Sequence, residues 1–400
     1  MKVLFTSPMI EYPPKSGPHL RIDNTIKALH QISDLHIISK VPKFLVGGDI
    51  AIDFYHKQSN KFSFSPSVKS LSSSKWVRRA QKVVKKLFVN DADYLVKYAK
   101  QHNIDAIWFG YGNLSHDLIE AVHKLNPGIP LICDTDSVWS RFIARELPFI
   151  ESSSEKAKIQ QAAEDKEKEE QKWVQWCDVT TAVSDVDAAY YQSYTADTTK
   201  VAVFPNAIDL DFYKTLEAPP PGFSDKAIIL SGSFGKSTSA MNRAADWVLK
   251  DIWPRVVEEI SDAHLYIVGT HSDVSYAQIH DPTITIAGRV PSILPYLQHA
   301  KMAITPLQFE SGTRFKILEA GACKLPMVST TLGAEGLDVK HMEHIWIADE
   351  AQDFADAIIS LLKDRGLAKS MAEKSYELIK RDFGLRSLER RAKSILEQVV

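Results

Sequence analysis

The chain has 400 residues, of which 44% are hydrophobic and 24% charged, so its composition is that of a globular protein long enough for two domains. The formal net charge of −2 gives no general attraction for nucleic acid, and we expect no nucleic-acid partner. The sequence contains no run of about 18 apolar residues, and its first ten residues are too short an apolar run for a signal peptide. Cys133, Cys177 and Cys323 lie far apart beside apolar runs, which favours buried free thiols in a reducing compartment. We therefore expect a cytoplasmic protein, peripheral at most on the inner face of the cell membrane.

The first elements follow a strand, helix, strand order. Lys2–Ser7 predicts a buried parallel strand, a helix follows from about Leu20 to Gln31, and Asp34–Ser39 predicts the next strand. This order is typical of a doubly wound α/β domain. Gly17 lies where the first strand gives way to the first helix, a position that suits a ligand contact, although a plain connecting loop explains it as well.

Residues 40–74 show no pattern that predicts an element, whereas residues 75–89 predict a basic amphipathic helix. Apolar side chains recur there at helical spacing, and only Lys and Arg fill the charged positions between them. Such a helix suits an anionic membrane surface. The alternative is a helix packed on the core whose outer face is basic.

Two further strands are predicted in the first half of the chain, at 105–110 and 130–134. Asp136 follows the second of them, at a strand end where functional groups of parallel sheets collect. Its carboxylate could orient a hydroxyl or accept a proton from it, or it could cap the next helix. Residues 151–176 predict a long solvated helix, and Ser184 with Asp187 predicts a helix start.

A second α/β domain is predicted after the proline-rich stretch at 218–223. Its first strand, 227–231, leads into a glycine-containing loop that holds Ser233 and Lys236. A later strand, 303–307, leads into the turn 311–313 and a helix from Arg314 to Ala322. Backbone N–H groups at a helix start, next to Arg314 and Lys316, suit an anion and most naturally a diphosphate.

Several of these stretches resemble one enzyme family. The segments GTRFKILEA and PMVSTTLGAEGL, the Gly288-Arg289-Val290 run and PNAID at 205–209 are similar to motifs of retaining GT-B glycosyltransferases of the family 4, or group 1, type. The resemblance implies an α/β fold with two Rossmann-like doubly wound domains that face a central cleft. It implies an acceptor-binding domain over 1–205, a nucleotide-sugar donor-binding domain over 206–384, and a final helix, 385–400, that packs back on the first domain.

The resemblance also implies roles for single residues. Arg314 and Lys316 would stabilise the leaving diphosphate, and Glu319 would bind the ribose hydroxyls. Gly288, Arg289 and Val290 would meet the base, Ser233 and Lys236 would contact the phosphates, and Asp136 would serve the acceptor side. Gly17 and Arg21 match an opening that faces the cleft in such enzymes.

One position departs from the family pattern. Relatives often carry a glutamate for the donor sugar eight residues before the ribose-binding one, and here that position is Ser311. Either the neighbouring Glu310 takes its place, or the backbone amides of Ser311, Gly312 and Thr313 hold the sugar. The departure leaves the identity of the sugar open.

Together these features predict retaining transfer of a hexosyl group. The donor is a nucleotide diphosphate-sugar and the acceptor is a hydroxyl of a glycan or a lipid-linked molecule. We expect no metal and no cofactor beyond the donor substrate, and a place in surface polysaccharide or glycolipid biosynthesis. Two alternatives remain, a GT-B sugar-nucleotide epimerase and a GT-B pseudoenzyme that binds a partner without catalysis. Arg314, Lys316 and Glu319 favour an enzyme, whereas Ser311 favours the pseudoenzyme.

Overall fold

The computed structural model describes residues 1–69, 91–235 and 238–400. The chain divides into two compact units. The first unit combines residues 1–207 with residues 385–400, and the second unit comprises residues 208–384.

The first unit is built on a seven-stranded parallel sheet with the strand order β3-β2-β1-β4-β5-β6-β7. Its central strand β1 is buried from Val3 to Ser7, which explains why the strand is an almost continuous apolar run. The strands are β1 Lys2–Ser7, β2 Asp34–Ser39, β3 Lys61–Phe64, β4 Ala106–Gly110, β5 Leu131–Asp134, β6 Val179–Ala182 and β7 Val201–Val203.

Helices of the first unit connect these strands. Those described are Gly17–Ile32, Lys43–Val46, Gly48–Lys57, Pro66–Lys69, Asp91–His102, His116–Leu125, Trp139–Ala144, Ser153–Trp176, Asp185–Gln192 and Leu385–Val399. Residues 43–69, for which the sequence pattern predicted no element, form three of these helices and strand β3. The final helix packs against the first one, because Leu388, Ile395 and Leu396 share a buried cluster with Ile22 and Ile26.

Two helix predictions in this unit can be checked residue by residue. The Ser184 hydroxyl accepts a hydrogen bond from the Asp187 N–H at 3.1 Å, which confirms the predicted helix start. Ser153–Trp176 is mostly exposed, as a solvated helix should be. Glu170 on that helix is nevertheless completely buried, as is Trp173, so the helix also packs on the domain.

The second unit repeats the same sheet topology. Its six-stranded parallel sheet has the order β10-β9-β8-β11-β12-β13. The strands are β8 Ala227–Ser231, β9 His264–Val268, β10 Ile284–Gly288, β11 Met302–Thr305, β12 Met327–Ser329 and β13 Trp346–Ile347. Its α-helices are Leu210–Tyr213, Ala240–Trp247, Trp253–Glu259, Ser272–Ser275, Leu294–His299, Phe315–Ala322, Ala351–Lys363 and Arg365–Asp382.

Each sheet has one place where the strand order changes direction. In the first unit it lies between β1 and β4, and in the second between β8 and β11. Connections leave these two neighbouring strands toward opposite faces of the sheet, which opens a crevice at their C-terminal ends. Ligands of open parallel sheets bind in this crevice, so the loops after β8 and β11 are the first place to look for a site.

No helix within residues 1–69, 91–235 and 238–400 is both long and apolar enough to cross a bilayer.

Candidate functional site

The loop after β11 holds four of the residues predicted from the sequence to contact a ligand. Ser311 and Thr313 are 7% and 8% exposed, and Glu310 is half-buried. Gly312 has a backbone φ of +77°, in the left-handed region where glycine is favoured. The turn therefore has a defined conformation at the C-terminal end of β11, beside the point where the strand order reverses.

Arg314 holds this turn in place. Arg314 is the N-cap of the helix Phe315–Ala322, whereas the sequence predicted it as the first residue of the helix. It is 6% exposed. Its Nη1 donates to the carbonyl oxygen of Ser311 at 2.6 Å and also to that of Gly312. A cation on these carbonyls fixes the turn and places positive charge at the start of the helix, which favours an anion there.

Lys316 places a second positive charge on the first turn of the same helix. Its half-buried Nζ lies 2.8 Å from the Sδ of Met241, on the helix that follows β8. Burial lowers the pKa of Lys316 to about 8; the Arg314 charge acts in the same direction, and the Glu310 and Glu319 carboxylates oppose it. Lys316 is therefore still largely protonated at neutral pH, and an arriving anion would stabilise its charge.

Glu319 lies three residues after Lys316, on the same side of the helix. Its Oε1 accepts a hydrogen bond from the Tyr213 hydroxyl at 3.0 Å. Burial raises the pKa of Glu319 to about 7, although the Tyr213 hydrogen bond and the Lys316 charge both lower it. The sequence analysis did not identify Tyr213, because nothing in its local pattern connects it with a residue 106 positions away.

The Gly288-Arg289-Val290 run lies at the C-terminal end of β10, on the same edge of the sheet. Gly288 has a φ of +65°, and its carbonyl oxygen accepts the Gly269 N–H at 2.8 Å. Arg289 is exposed and Val290 is half-buried. Val290 packs against the buried hydrophobic cluster of this unit, whereas Arg289 is open to solvent at the strand end, where a base could meet it.

The loop after β8 is described in part. Ser233 is exposed there, and the Gly235 N–H donates to the Asn242 Oδ1 at 2.9 Å. Met241 and Asn242 are buried on the helix Ala240–Trp247, which Ser239 caps. Lys236 lies outside the described residues, as does the predicted basic helix at 75–89.

In the first unit, Arg21 and Asp134 form the centre of a buried polar network. Arg21 is 2% exposed and donates to Asp134, to the Asn206 Oδ1 at 2.9 Å and to the Phe204 carbonyl oxygen at 3.0 Å. Asp134 also accepts hydrogen bonds from Trp108 and Thr181. The guanidinium group of Arg21 is therefore held among these partners inside the first unit.

Asp136 is half-buried just beyond β5. Its Oδ1 accepts the Asn113 Nδ2 at 2.6 Å and the Trp139 Nε1 at 3.1 Å. Burial raises the pKa of Asp136, while these hydrogen bonds, one from Tyr111 and the Arg21 charge lower it. The capping alternative is wrong, because the helix Trp139–Ala144 begins after Val138.

Glu170 takes the capping role instead, a function that the sequence analysis missed. Its Oε1 accepts the backbone N–H groups of Trp139 at 2.7 Å and Ser140 at 3.2 Å, and its Oε2 accepts the Ser140 hydroxyl. Burial raises the pKa of Glu170 to about 7.

Gly17 is the first residue of the helix Gly17–Ile32, which follows β1 in the same unit.

In residues 1–69, 91–235 and 238–400, no three His, Cys, Asp or Glu side chains come together as potential ligands of one ion. The polar groups gathered at the second unit are instead two cations, a carboxylate and backbone amides, a set suited to an organic anion that carries hydroxyl groups.

The fold and this site define the class of protein. Two Rossmann-like units, with the strand order 3-2-1-4-5-6 in the second and the same order plus a seventh strand in the first, form the GT-B fold of glycosyltransferases. Residues 226–364 match the model of the family described as glycosyl transferases group 1. This range is about a third of the chain, and it contains the loop after β11, Arg314, Lys316 and Glu319.

Solved structures support the fold along the full chain. The Anabaena protein Alr3699/HepE, solved in complex with UDP and glucose, has a TM-score of 0.65 and 12% identity, with 99% of each chain covered. The lipopolysaccharide outer core galactosyltransferase WaaB has a TM-score of 0.59 and 13% identity, with both chains fully covered. An uncharacterized 44.6 kDa protein in the cps region of Klebsiella pneumoniae is 23% identical over 146 residues, which are 34% of this chain and 38% of that relative.

Proposed function

We propose that this glycosyltransferase moves a hexosyl group, with retention, from a nucleotide diphosphate-sugar to a hydroxyl of a glycan or lipid-linked acceptor. The observation that carries the proposal is the convergence of Arg314, Lys316 and Glu319 at the C-terminal end of β11, where the sheet order reverses. A diphosphate needs cations and N–H groups, and a ribose diol needs a carboxylate. The helix Phe315–Ala322 supplies both on its first two turns.

The donor side of the chemistry needs charge stabilisation more than covalent catalysis. Negative charge develops on the leaving diphosphate as the bond from the anomeric carbon to the phosphate oxygen breaks. Lys316 acts on this charge directly, and Arg314 contributes positive charge while it holds the turn 311–313. Loss of one preorganised donor of this kind typically lowers kcat by about 100-fold or more.

The sugar would lie against the turn itself. Ser311 replaces the glutamate that relatives use, and its Oγ is buried with no hydrogen-bond partner among the described residues. A sugar hydroxyl is a suitable partner for this group, together with the backbone amides of Gly312 and Thr313 and the Glu310 carboxylate. The other proposed contacts with the donor are Gly288, Arg289, Val290, Ser233 and Lys236.

Asp136 is the proposed acceptor-side group. A carboxylate whose pKa is raised is suited to accept a proton from an attacking hydroxyl. Three donors orient its side chain, which keeps its position defined without substrate. Gly17 is the proposed contact at the start of the first helix.

Surface polysaccharide or glycolipid assembly is the proposed setting. It is supported by the printed descriptions of WaaB, a lipopolysaccharide galactosyltransferase, and of the Klebsiella relative in a cps region. The same proposal includes transfer without a metal ion, a cytoplasmic location and surface contact with an anionic membrane through residues 75–89.

A binding protein without transferase activity is the second candidate, favoured by Ser311 at the position of the family glutamate.

A thermal-shift panel of UDP, GDP, TDP and ADP tests the donor site. We expect one nucleotide to raise the melting temperature of the wild type, and Arg314→Ala or Lys316→Ala to abolish that rise. Lys363→Ala is the control, since it removes an exposed cation of the same unit that pairs with Glu259 at 2.9 Å. Unchanged nucleotide binding in both site variants would refute the assignment. Stabilisation of the wild type without turnover of any donor sugar would favour the binding protein.

A further inference from the structure

The Tyr213 hydroxyl lies 3.0 Å from the Oε1 of Glu319, and Tyr213 belongs to none of the motifs that define the proposed donor site. Tyr213 is 6% exposed and ends the short helix Leu210–Tyr213. A buried phenol that donates to a carboxylate fixes one oxygen of that carboxylate and favours its charged form.

We propose that Tyr213 is a positioning residue for nucleotide recognition, which orients the Glu319 carboxylate so that its second oxygen accepts the ribose hydroxyls. This inference rests on the proposed function, because it assumes that Glu319 meets the ribose. It extends that function to a residue in the segment that precedes the group 1 domain at 226–364.

The position of Tyr213 is fixed from two sides. The Asp209 carboxylate accepts the Asp211 N–H at 3.3 Å and begins the helix Leu210–Tyr213. Gln298 donates to the carbonyl oxygens of Tyr213 at 3.2 Å and Thr215 at 2.7 Å. The phenol is therefore presented to Glu319 by an anchored backbone, which is the condition for a preorganised contact.

The groups around Glu319 decide how it titrates. Tyr213 faces it from the helix Leu210–Tyr213, and Lys316 from one turn earlier on its own helix. Cys323 lies one turn later, and Asp209 acts on Tyr213. The pKa of Glu319 is raised by burial to about 7 even with the Tyr213 hydrogen bond in place, so most of this carboxylate would be neutral at pH 7 if that bond were lost.

We therefore expect the nucleotide affinity that the ribose hydroxyls contribute to increase as the pH rises through 7. An ionised carboxylate accepts hydrogen bonds from the 2′- and 3′-hydroxyls through its oxygens, whereas in a protonated carboxyl group one oxygen carries the proton and acts as a donor. Loss of the Tyr213 donor raises the pKa of Glu319 further. The pH at which the ribose hydroxyls begin to improve binding therefore moves upward.

The test compares UDP with 2′,3′-dideoxy-UDP, by calorimetric titration from pH 6 to 8.5. For Tyr213→Phe we expect UDP affinity at pH 7 to fall by roughly fivefold, because a rise of about one pKa unit lowers the ionised fraction of the carboxylate from about one half to about one tenth, with no change for the dideoxy compound. The midpoint of the UDP-to-dideoxy affinity ratio should move to higher pH. In Glu319→Gln, the additional Tyr213→Phe change should have no effect on the ratio.

Tyr276→Phe is the matched control, because it removes another phenol-to-carboxylate hydrogen bond of the second unit, to Asp246 at 3.2 Å. The ratio and its midpoint should stay at wild-type values in this variant. Equal losses for UDP and dideoxy-UDP in Tyr213→Phe, or an unmoved midpoint, would overturn the inference and leave a packing role. If the wild type bound neither UDP nor the other nucleotides of the panel, the proposed function itself would fail.

Discussion

Arg21 and Asp134 form an ion pair that is almost completely shielded from water, with side chains 2% and 0% exposed. They connect the first helix of the first unit to the C-terminal end of β5. Asn206 and the Phe204 carbonyl oxygen also accept from Arg21, so the pair joins three parts of the chain that lie far apart in sequence. The switch point of the first unit is therefore held together by charge as well as by apolar packing.

Arg21→Met should destabilise the first unit by about 3–5 kcal/mol, because it leaves the Asp134 charge buried without its cation. Adding Asp134→Asn should recover part of this loss, since the amide oxygen can take the Oδ2 position that accepts from Trp108 and the amide nitrogen can donate to the Thr181 hydroxyl oxygen. Urea unfolding of the single and double variants measures the coupling. The control is Lys97→Met, which breaks an exposed pair with Asp93 and should cost less than about 1 kcal/mol. Equal losses for Arg21→Met and Lys97→Met would contradict a structural role of the buried pair.

The strands of both sheets could be predicted closely because buried parallel strands are apolar along their whole length. β1, β2 and β8 have the predicted bounds, and β11 differs by two residues or fewer at each end. Residues 43–69 could not be predicted in the same way. Their short helices are stabilised by tertiary packing, such as the stacking of Phe54 on Tyr12 at 3.7 Å, which leaves no repeating pattern in the sequence.

In the candidate site, too, local features could be predicted from the sequence and long-range contacts could not. The turn 311–313 and the helix after it could be located from local glycine and charge patterns. Glu170 and Tyr213 could not, because each acts on a partner that is distant in sequence, at 30 residues or more. The pairing of Arg21 with Asp134 could not be predicted for the same reason, since the two residues are 113 positions apart.

Nucleotide binding should depend on the charge of Lys316. Its pKa of about 8 means that the free protein loses this proton as the pH rises from 7 to 9. Binding of a diphosphate favours the protonated lysine, so affinity for UDP should weaken by about tenfold for each pH unit well above 8. Titration of binding between pH 7 and 9.5 measures the effect.

Lys316→Arg is the matched variant for this pH dependence, because a guanidinium group stays protonated throughout the range. It should bind with little change in affinity from pH 7 to 9.5. The last ionisation of a phosphate group has a pKa of about 6, so it is largely complete at pH 7, where this titration begins. A decline of the same steepness in wild type and Lys316→Arg would place the titrating group elsewhere.

The basic segment at 75–89 predicts binding to anionic membranes. Wild-type protein should sediment with phosphatidylglycerol vesicles at low salt and not with phosphatidylcholine vesicles, because each Lys or Arg near an anionic surface contributes about 1 kcal/mol. Changing Lys82 and Lys85 to glutamate should abolish sedimentation. The charge-matched control changes Lys369 and Lys393, which are 78% and 60% exposed. Equal loss in both double variants would mean that net charge, and not this segment, determines binding.

Glu170 gives a prediction about stability and pH. Its pKa rises from 4.5 to about 7 on folding because burial disfavours the charged form. The Trp139 and Ser140 N–H groups and Lys166 oppose this rise, and Tyr191 and Tyr194 lie in the same environment. A group whose pKa is raised on folding stabilises the folded state fully below the unfolded pKa, and this contribution is lost as the pH rises through the folded value.

Glu170→Gln should therefore gain stability relative to the wild type as the pH increases from 4.5 to 7, by roughly 3 kcal/mol in total. The glutamine oxygen can still accept from the Trp139 and Ser140 N–H groups, so the start of the helix Trp139–Ala144 remains capped. Urea unfolding at pH 5, 6, 7 and 8 provides the comparison. Glu164→Gln, an exposed carboxylate on the same helix, should show no such trend. A constant difference between wild type and Glu170→Gln across this range would mean that Glu170 ionises in the folded protein as easily as in the unfolded chain, and the buried environment would then have no effect on its charge.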